Sequence, residues 1–137
     1  MHYIAKLSRE KKYWLVDFRD CPGCHTFGSS ESDALAMAAE ALQGWLEAHL
    51  IDGEAPPRPK AHRGKPIRVP SSLAIALQVR WLREDRRLTQ AALAKRVGVS
   101  QQQIAKLERP GGNPSLATLE KIGVALGTCV SVEFKAA

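Results

Sequence analysis

The chain has 137 residues and a formal net charge of +6 at pH 7, a length that suits one ordinary domain or two small ones. Its hydrophobic fraction of 45% is enough for packed cores, and it has no apolar run of the length that spans a bilayer. The start lacks the apolar stretch of a signal peptide, and an odd count of three cysteines argues against a disulfide framework. We therefore expect a cytoplasmic protein with no membrane partner.

The charge is unevenly distributed along the chain. Residues 1–55 carry five Lys and Arg against nine Asp and Glu, a net charge of −4, whereas residues 56–137 carry fifteen against five, a net charge of +10. Either the surface composition simply varies, or two modules have partners of opposite charge. We favour two modules, at 1–70 and 71–137, with a basic, proline-rich linker at about 55–66. This linker is either a solvated spacer or a functional segment, which adds phosphate contacts or is attracted to the acidic partner face.

The pattern of the first module predicts three short strands, a helix and a fourth strand, the order βββαβ of a small α+β fold. Two β-favouring runs separated by a polar loop predict a hairpin, and a Pro-Gly turn leads into the third strand. Apolar residues at helical spacing follow Ser30, which with Asp33 resembles a capping box. The predicted strands are 3–7, 13–18, 25–28 and 65–70, and the predicted helix ends near Leu50.

Two groups of side chains in this module could carry chemistry. Cys21 and Cys24 frame the Pro-Gly turn, but a structural zinc site needs four ligands and no second pair follows. We expect a tight turn with Cys24 packed inward, in preference to a zinc or redox site. Carboxylates that could hold Mg²⁺ in a nuclease lie at Asp17, Asp20, Asp33 and Glu40. Because the sequence places no three of them together, we expect no catalysis, no metal and no cofactor.

Residues 13–28, Tyr-Trp-x-Val-x-Phe-x-Asp-x-Pro-Gly-Cys-x-Thr-x-Gly, are followed by a capped helix that ends in Trp45-Leu46. This pattern is similar to the HicB antitoxin family over roughly residues 3–70. The resemblance implies a degenerate RNase H-like module without a working active site, which binds and silences a ribonuclease toxin, HicA. We place the contacts with a HicA-like toxin at Trp14, Asp17, Asp20 and Cys24.

Residues 88–108 predict a helix-turn-helix in the second module. Thr89 is a good N-cap for its first helix, and Gly98 can take the left-handed conformation that ends that helix. Ser100 caps the next helix, and the first exposed turn of that helix carries three glutamines, at 101–103. Glutamine donates and accepts at once, so it can bond an adenine edge in the major groove at two atoms.

Residues 71–127 resemble the Cro/C1-type (XRE) helix-turn-helix domain of phage repressors, an all-α bundle of five helices. The resemblance implies that Gln90 touches a phosphate, that the three glutamines face bases, and that Lys106 lies further along the groove. The predicted DNA contacts are Thr89, Gln90, Ser100, Gln101, Gln102, Gln103, Lys106 and Arg109. Further candidates for phosphate contacts are Arg80, Arg83, Arg86, Arg87, Lys95 and Arg96.

Residues 128–134 alternate apolar and polar side chains as a strand does. A single strand after a helical bundle has nothing in that bundle to pair with, so we expect it to pair with a second chain or with a sheet edge of the first module. A homodimer or a higher even oligomer would result. The whole sequence thus predicts an antitoxin that also represses its own operon by binding inverted-repeat operator DNA.

The alternative is a one-component regulator whose first module senses a small ligand. A well-formed pocket with convergent polar groups would favour it.

Overall fold

The structure, a computed structural model, describes all residues 1–137 and divides into two compact units, Met1–Ala74 and Ile75–Ala137. Its elements are β1 (His2–Glu10), β2 (Tyr13–Phe18), β3 (His25–Gly28), α1 (Glu31–Ile51), β4 (Lys65–Arg68), α2 (Ser71–Asp85), α3 (Gln90–Val97), α4 (Gln101–Leu107) and α5 (Leu116–Ala125). The predicted α+β class is confirmed. None of the five helices combines the length and apolarity that crossing a bilayer requires.

The first unit is built on a four-stranded sheet in the order β3-β2-β1-β4, with every neighbouring pair antiparallel. The β1–β2 hairpin is tighter than the sequence predicts, because residues 8–10 pair with residues 13–15 and leave only Lys11 and Lys12 in the turn. Lys11 adopts the left-handed conformation, with φ 55°, as tight hairpin turns commonly require.

Helix α1 covers one face of this sheet, because alternate residues of each strand point to that side. Its buried residues follow an i, i+4 spacing and are Ala34, Ala38, Leu42, Leu46 and Leu50. The inward residues of β1 and β2 that are buried with them are Tyr3, Ala5, Val16 and Phe18. Strand β3 lies very close to the helix start, since a Cβ on Gly28 would be 2.3 Å from the backbone nitrogen of Ala34.

The N-terminus of α1 is capped, although the predicted capping box is only half formed. The Ser30 hydroxyl accepts from the backbone N–H of Asp33 at 3.1 Å. The reciprocal bond runs to the neighbouring residue, because the Asp33 carboxylate accepts from the backbone N–H of Ser29 at 2.8 Å. Asp33 therefore still accepts a backbone hydrogen bond at the helix start, but the donor is Ser29 and not the N-cap residue Ser30.

The segment 55–66 is not a solvated spacer between the two units, contrary to one of the two interpretations of the sequence. It returns the chain from α1 to β4 within the first unit and is held there by specific contacts. Pro56 is fully buried, the Tyr3 hydroxyl donates to the carbonyl of Pro57 at 2.6 Å, and the carboxylate of Asp20 accepts from the backbone N–H of Lys60 at 2.7 Å. The segment is thus part of a folded module.

The second unit is a helical bundle around one apolar cluster. The buried residues of that cluster are Val79, Leu93, Ala94, Val97, Ile104, Leu107, Ile122 and Leu126. The bundle has four helices, α2 to α5, where the resemblance implied five. After α5, Gly127 takes a left-handed φ of 68°, and the N–H of Thr128 bonds back to the carbonyl of Gly123 at 2.8 Å, so the helical path stops there.

The predicted C-terminal strand is not formed in the single chain, where residues 128–137 have no regular secondary structure. A strand exists only where a neighbouring strand satisfies its backbone N–H and C=O groups. No such neighbour is available to this tail within its own bundle.

Candidate nucleic-acid interface and partner surface

Helices α3 and α4 form a helix-turn-helix whose ends are fixed by the side chains that the sequence singled out. The Thr89 hydroxyl accepts from the backbone N–H of Ala92 at 3.0 Å and caps α3. Gly98 closes α3 in the left-handed conformation, with φ 82°. The Ser100 hydroxyl accepts from the backbone N–H of Gln103 at 3.2 Å and caps α4. Three predicted local signals are confirmed, and they fix the direction in which α4 leaves the turn.

The three glutamines at the start of α4 are exposed but do not have equal freedom. The side-chain oxygen of Gln103 accepts from the backbone N–H of Ser100 at 2.9 Å, which completes a capping box. Its acceptor atom is therefore already used inside the protein. Gln101 and Gln102 extend from the same turn, and they are the better candidates for bidentate bonds to a base.

A buried network beneath this motif was not predicted from the sequence. The guanidinium of Arg83 in α2 donates to both carboxylate oxygens of Glu108, at 2.7 and 2.8 Å, and to the carbonyl of Leu88 at 2.6 Å. Arg83 is 7% exposed and Glu108 is 2% exposed. The hydrogen bond that Arg83 donates to Glu108 is the main cause that raises the pKa of Arg83 above its usual value. This network joins α2, the turn before α3 and the end of α4.

The network changes the interpretation of three predicted DNA contacts. Arg83 is buried and cannot reach a phosphate, and Arg80 binds Glu84 through its Nε at 2.7 Å. Both arginines therefore have structural partners. The side-chain amide of Gln90 lies 3.4 Å from Glu108 and donates to it, so its phosphate contact stays a prediction. The remaining predicted cations are exposed, namely Arg86, Arg87, Lys95, Arg96, Lys106 and Arg109.

The four residues predicted to contact a toxin do not form one surface. Trp14 lies on the helix-covered side of β2 and is half-buried beneath the guanidinium of Arg9, 5.7 Å from its ring centroid. Asp17 is exposed on the opposite side of the same strand, because side chains three residues apart point to opposite faces. Asp20 is held by the backbone of segment 55–66.

Cys24 is buried, with 3% of its surface exposed, and so offers no surface to a partner. Its inclusion among the contact residues is therefore wrong, whereas the expectation of an inward-packed turn residue is confirmed. Burial raises the pKa of Cys24 to about 11 and that of Cys21 to about 12, so both thiols stay protonated at neutral pH. No group of three or more His, Cys, Asp or Glu side chains lies close enough together to hold a metal ion.

The acidic surface of the first unit is concentrated on α1. Helix α1 contains four acidic residues and no Lys or Arg, and two more acids follow at its end. The unit as a whole is not acidic, because the structure includes the segment after residue 55 within it. Residues 1–74 carry ten Lys and Arg against nine Asp and Glu, a net charge of +1. The charge difference seen along the sequence thus becomes a separation between surfaces of one unit.

Comparison with known proteins agrees with this architecture. The family described as HicB_like antitoxin of bacterial toxin-antitoxin system matches residues 3–65, and the helix-turn-helix family matches residues 79–129. The immunity repressor protein of Bacillus phage phi105 is 39% identical over 59 residues, which cover 43% of this chain and 41% of that protein.

Two relatives from Photorhabdus laumondii extend the similarity over most of the chain. Antitoxin HicB 1 is 30% identical over 118 residues, which cover 86% of this chain and 76% of that protein. Antitoxin HicB 2 is 28% identical over 127 residues, which cover 93% and 91% of the two chains. These relatives are named as antitoxins, not as enzymes. With its strand-and-helix module followed by a helix-turn-helix, the chain belongs to the HicB family of antitoxins.

Proposed function

We propose that this chain neutralises a HicA-like ribonuclease toxin that cleaves mRNA, and that it represses its own operon by binding operator DNA. The observation that carries the proposal is the helix-turn-helix with two exposed, unengaged glutamines at the first turn of α4, in a chain whose other unit matches the antitoxin family. Because operator DNA and mRNA are the proposed targets, the activity belongs in the cytoplasm.

The toxin-binding surface that fits this role best is the solvent face of α1. A protein that binds RNA has a basic face, and α1 offers four acidic side chains with no Lys or Arg among them. Glu40 is an exposed member of this set at the middle of the helix. By covering the basic face of the toxin, α1 would exclude RNA sterically. The complementary charges would speed the encounter of the two proteins more than they would set the final affinity.

Co-expression with a small basic, HicA-like protein tests the proposal. We expect the chain to restore growth of cells that express that protein, and the two to co-purify. Glu40→Lys should lower the association rate by about tenfold at low salt, with a weaker effect at high salt. Glu10→Lys makes the same charge change away from α1 and should have little effect. If growth stays arrested when the intact chain is present, the antitoxin function is contradicted. If Glu40→Lys and Glu10→Lys have equal association rates, the toxin does not contact α1.

The C-terminal tail is the element that we propose as the dimer contact. Phe134 is fully exposed and Val132 is 66% exposed, although apolar side chains in an alternating pattern normally bury one face. Helices α2 and α5 and the tail also line a mostly apolar cavity of about 360 Å³. Pairing of two tails would bury these side chains and place two α4 helices on an inverted repeat, one DNA turn, or about 34 Å, apart.

Replacing Val132 and Phe134 by aspartate should convert dimers to monomers in sedimentation experiments and weaken operator binding. This design leaves intact the bond from Thr128 to Gly123, which a deletion of the whole tail would remove. Lys135→Gln is the matched control, since Lys135 lies beside the same residues on the exposed tail. An unchanged sedimentation coefficient for the double variant would place the dimer contact elsewhere.

A further inference from the structure

A basic cleft lies in the first unit, and none of the residues that line it belongs to the acidic helix α1. The cleft has a volume of about 720 Å³. The cationic or titratable side chains that line it are Lys6, Arg19, Lys60, His62 and Arg63. Lys6 belongs to β1 and Arg19 follows β2, whereas the other three come from the segment between α1 and β4. Three parts of the chain thus place their cations around one opening.

Asp20 holds this arrangement together. One of its carboxylate oxygens accepts from the backbone N–H groups of Lys60 at 2.7 Å and of Ala61 at 2.8 Å. The bond from Ala61 is the largest cause that lowers the pKa of Asp20. Further along, Gly64 is pressed against β1, where a Cβ would lie 2.3 Å from the carbonyl oxygen of Ala5. The loop is therefore fixed on the sheet, and its cations do not move freely as those of an open linker would.

The cations of the cleft are available for an external anion. The salt bridges of Lys65 with Glu31, at 3.4 Å, and of His49 with Glu54, at 4.0 Å, involve residues outside the cleft. Within the cleft, Asp20 is the single carboxylate; it accepts two backbone bonds, and the nearby charges of Arg19 and Lys60 also help to lower its pKa. One carboxylate does not balance four Lys and Arg side chains. Lys6, Arg19, Lys60 and Arg63 thus keep an excess of positive charge on an exposed surface.

The lining also limits the class of anion. The apolar side chains of the lining are Ile4 and Ala61, and no Phe, Tyr or Trp lines the cleft. Pockets for small ligands are mostly apolar, and single-stranded nucleic acids bind through aromatic stacking of their bases. Four of the lining side chains are Lys or Arg, and a ligand recognised chiefly by such cations is a phosphate backbone. We propose that this cleft binds the phosphates of duplex DNA, in addition to the operator contacts of the helix-turn-helix on which the proposed function depends.

The test compares two double variants of the full chain that change charge equally. Lys60→Gln with Arg63→Gln removes two cleft cations, and Lys11→Gln with Lys12→Gln removes two exposed cations from the β1–β2 turn. Binding of a random-sequence DNA duplex is measured by fluorescence anisotropy over a range of salt. For the cleft variant we expect affinity to fall about tenfold at roughly 50 mM salt, and the slope of log K against log salt to decrease by about 2. The turn variant should match the unmodified chain.

Substitutions of Asp20 distinguish the effect of where the loop 60–63 is held from the effect of the negative charge of Asp20. Asp20→Asn keeps an oxygen that can accept from Lys60 and Ala61, so DNA affinity should be unchanged or higher. Asp20→Ala removes the acceptor and releases the loop, so it should reproduce the loss seen when the cleft cations are removed. Rescue by the conservative substitution identifies Asp20 as a positioning residue.

Three results would overturn the proposal. One is a cleft variant with the slope and affinity of the unmodified chain, and another is equal loss in the cleft and turn variants. The third is a loss seen with duplex RNA but not with duplex DNA. The proposal is separable from operator recognition, because Gln101→Ala with Gln102→Ala should remove sequence preference while it leaves the salt slope of the cleft intact. If the unmodified chain shows no sequence preference, the proposed operator recognition is wrong, but the effect of the cleft variant on binding of random-sequence DNA is still a valid test of the cleft.

Discussion

Glu108→Ala should lower the free energy of unfolding of the helix-turn-helix unit by about 3–5 kcal/mol. The carboxylate is 2% exposed and accepts both of its short bonds from Arg83. Its removal leaves a buried guanidinium that still donates to the carbonyl of Leu88 but has lost the carboxylate that accepted from its other nitrogens. An unpaired buried charge is far more costly than a missing surface ion pair. The change is measured by urea unfolding followed by circular dichroism.

Two further variants distinguish a charge effect from a packing effect. Glu108→Gln keeps the shape and one acceptor oxygen and should lose less stability than the alanine variant. Glu108→Leu combined with Arg83→Leu removes both charges together, so the double variant should be more stable than the sum of the two single losses predicts. Additive losses would mean that the two side chains do not act as a pair. The idea that this network holds the motif together would then be wrong.

The same substitution should separate the two activities that we propose. The network lies within Ile75–Ala137, and the antitoxin-family match lies within Met1–Ala74. Glu108→Ala is therefore expected to weaken operator binding while growth rescue by the first unit persists. Loss of both activities at once would indicate that the first unit needs an intact second unit.

The features that the sequence predicted correctly are those that depend on neighbours a few residues away. Thr89, Gly98 and Ser100 act on amides within three or four positions, so the residue types and their spacing were enough to place the two helices. Strands β2 and β3 were likewise bounded by a short turn. In the same way, the helical spacing of apolar residues after Ser30 predicted helix α1 and its end near Leu50.

The features that the sequence missed depend on contacts between distant residues. The bond from Lys60 to Asp20 joins positions 40 apart, and that from Tyr3 to Pro57 joins positions 54 apart. A proline-rich, basic composition describes a free linker equally well, so composition could not show that the loop is held on the sheet. Arg83 and Glu108 are 25 positions apart, and each would be expected on the surface by residue type. The one local signal of their burial was that Arg83 and Glu108 each lie four residues after a buried apolar residue, Val79 and Ile104.

Gln101→Ala combined with Gln102→Ala should weaken operator binding by about 1–3 kcal/mol for each base that the two side chains bind. Both side chains are exposed at the first turn of α4, where a recognition helix meets base edges. The operator is first obtained by selection from a random DNA pool, and affinity is then measured for it and for scrambled DNA. Affinity for scrambled DNA and its salt dependence should stay unchanged, because phosphate contacts carry those properties.

Gln103 supplies the matched comparison, because the capping box already uses its oxygen. Gln103→Ala should cost about 0.5–1.5 kcal/mol of stability by removing one hydrogen bond of the capping box, with a smaller change in base preference than the double variant. Gln103→Glu restores an acceptor that suits this position and should recover stability, while its negative charge weakens binding to all DNA sequences equally. If Gln103→Ala changes base preference as strongly as the double variant does, then Gln103 reads a base despite its internal bond. The division of roles within this turn would then be wrong.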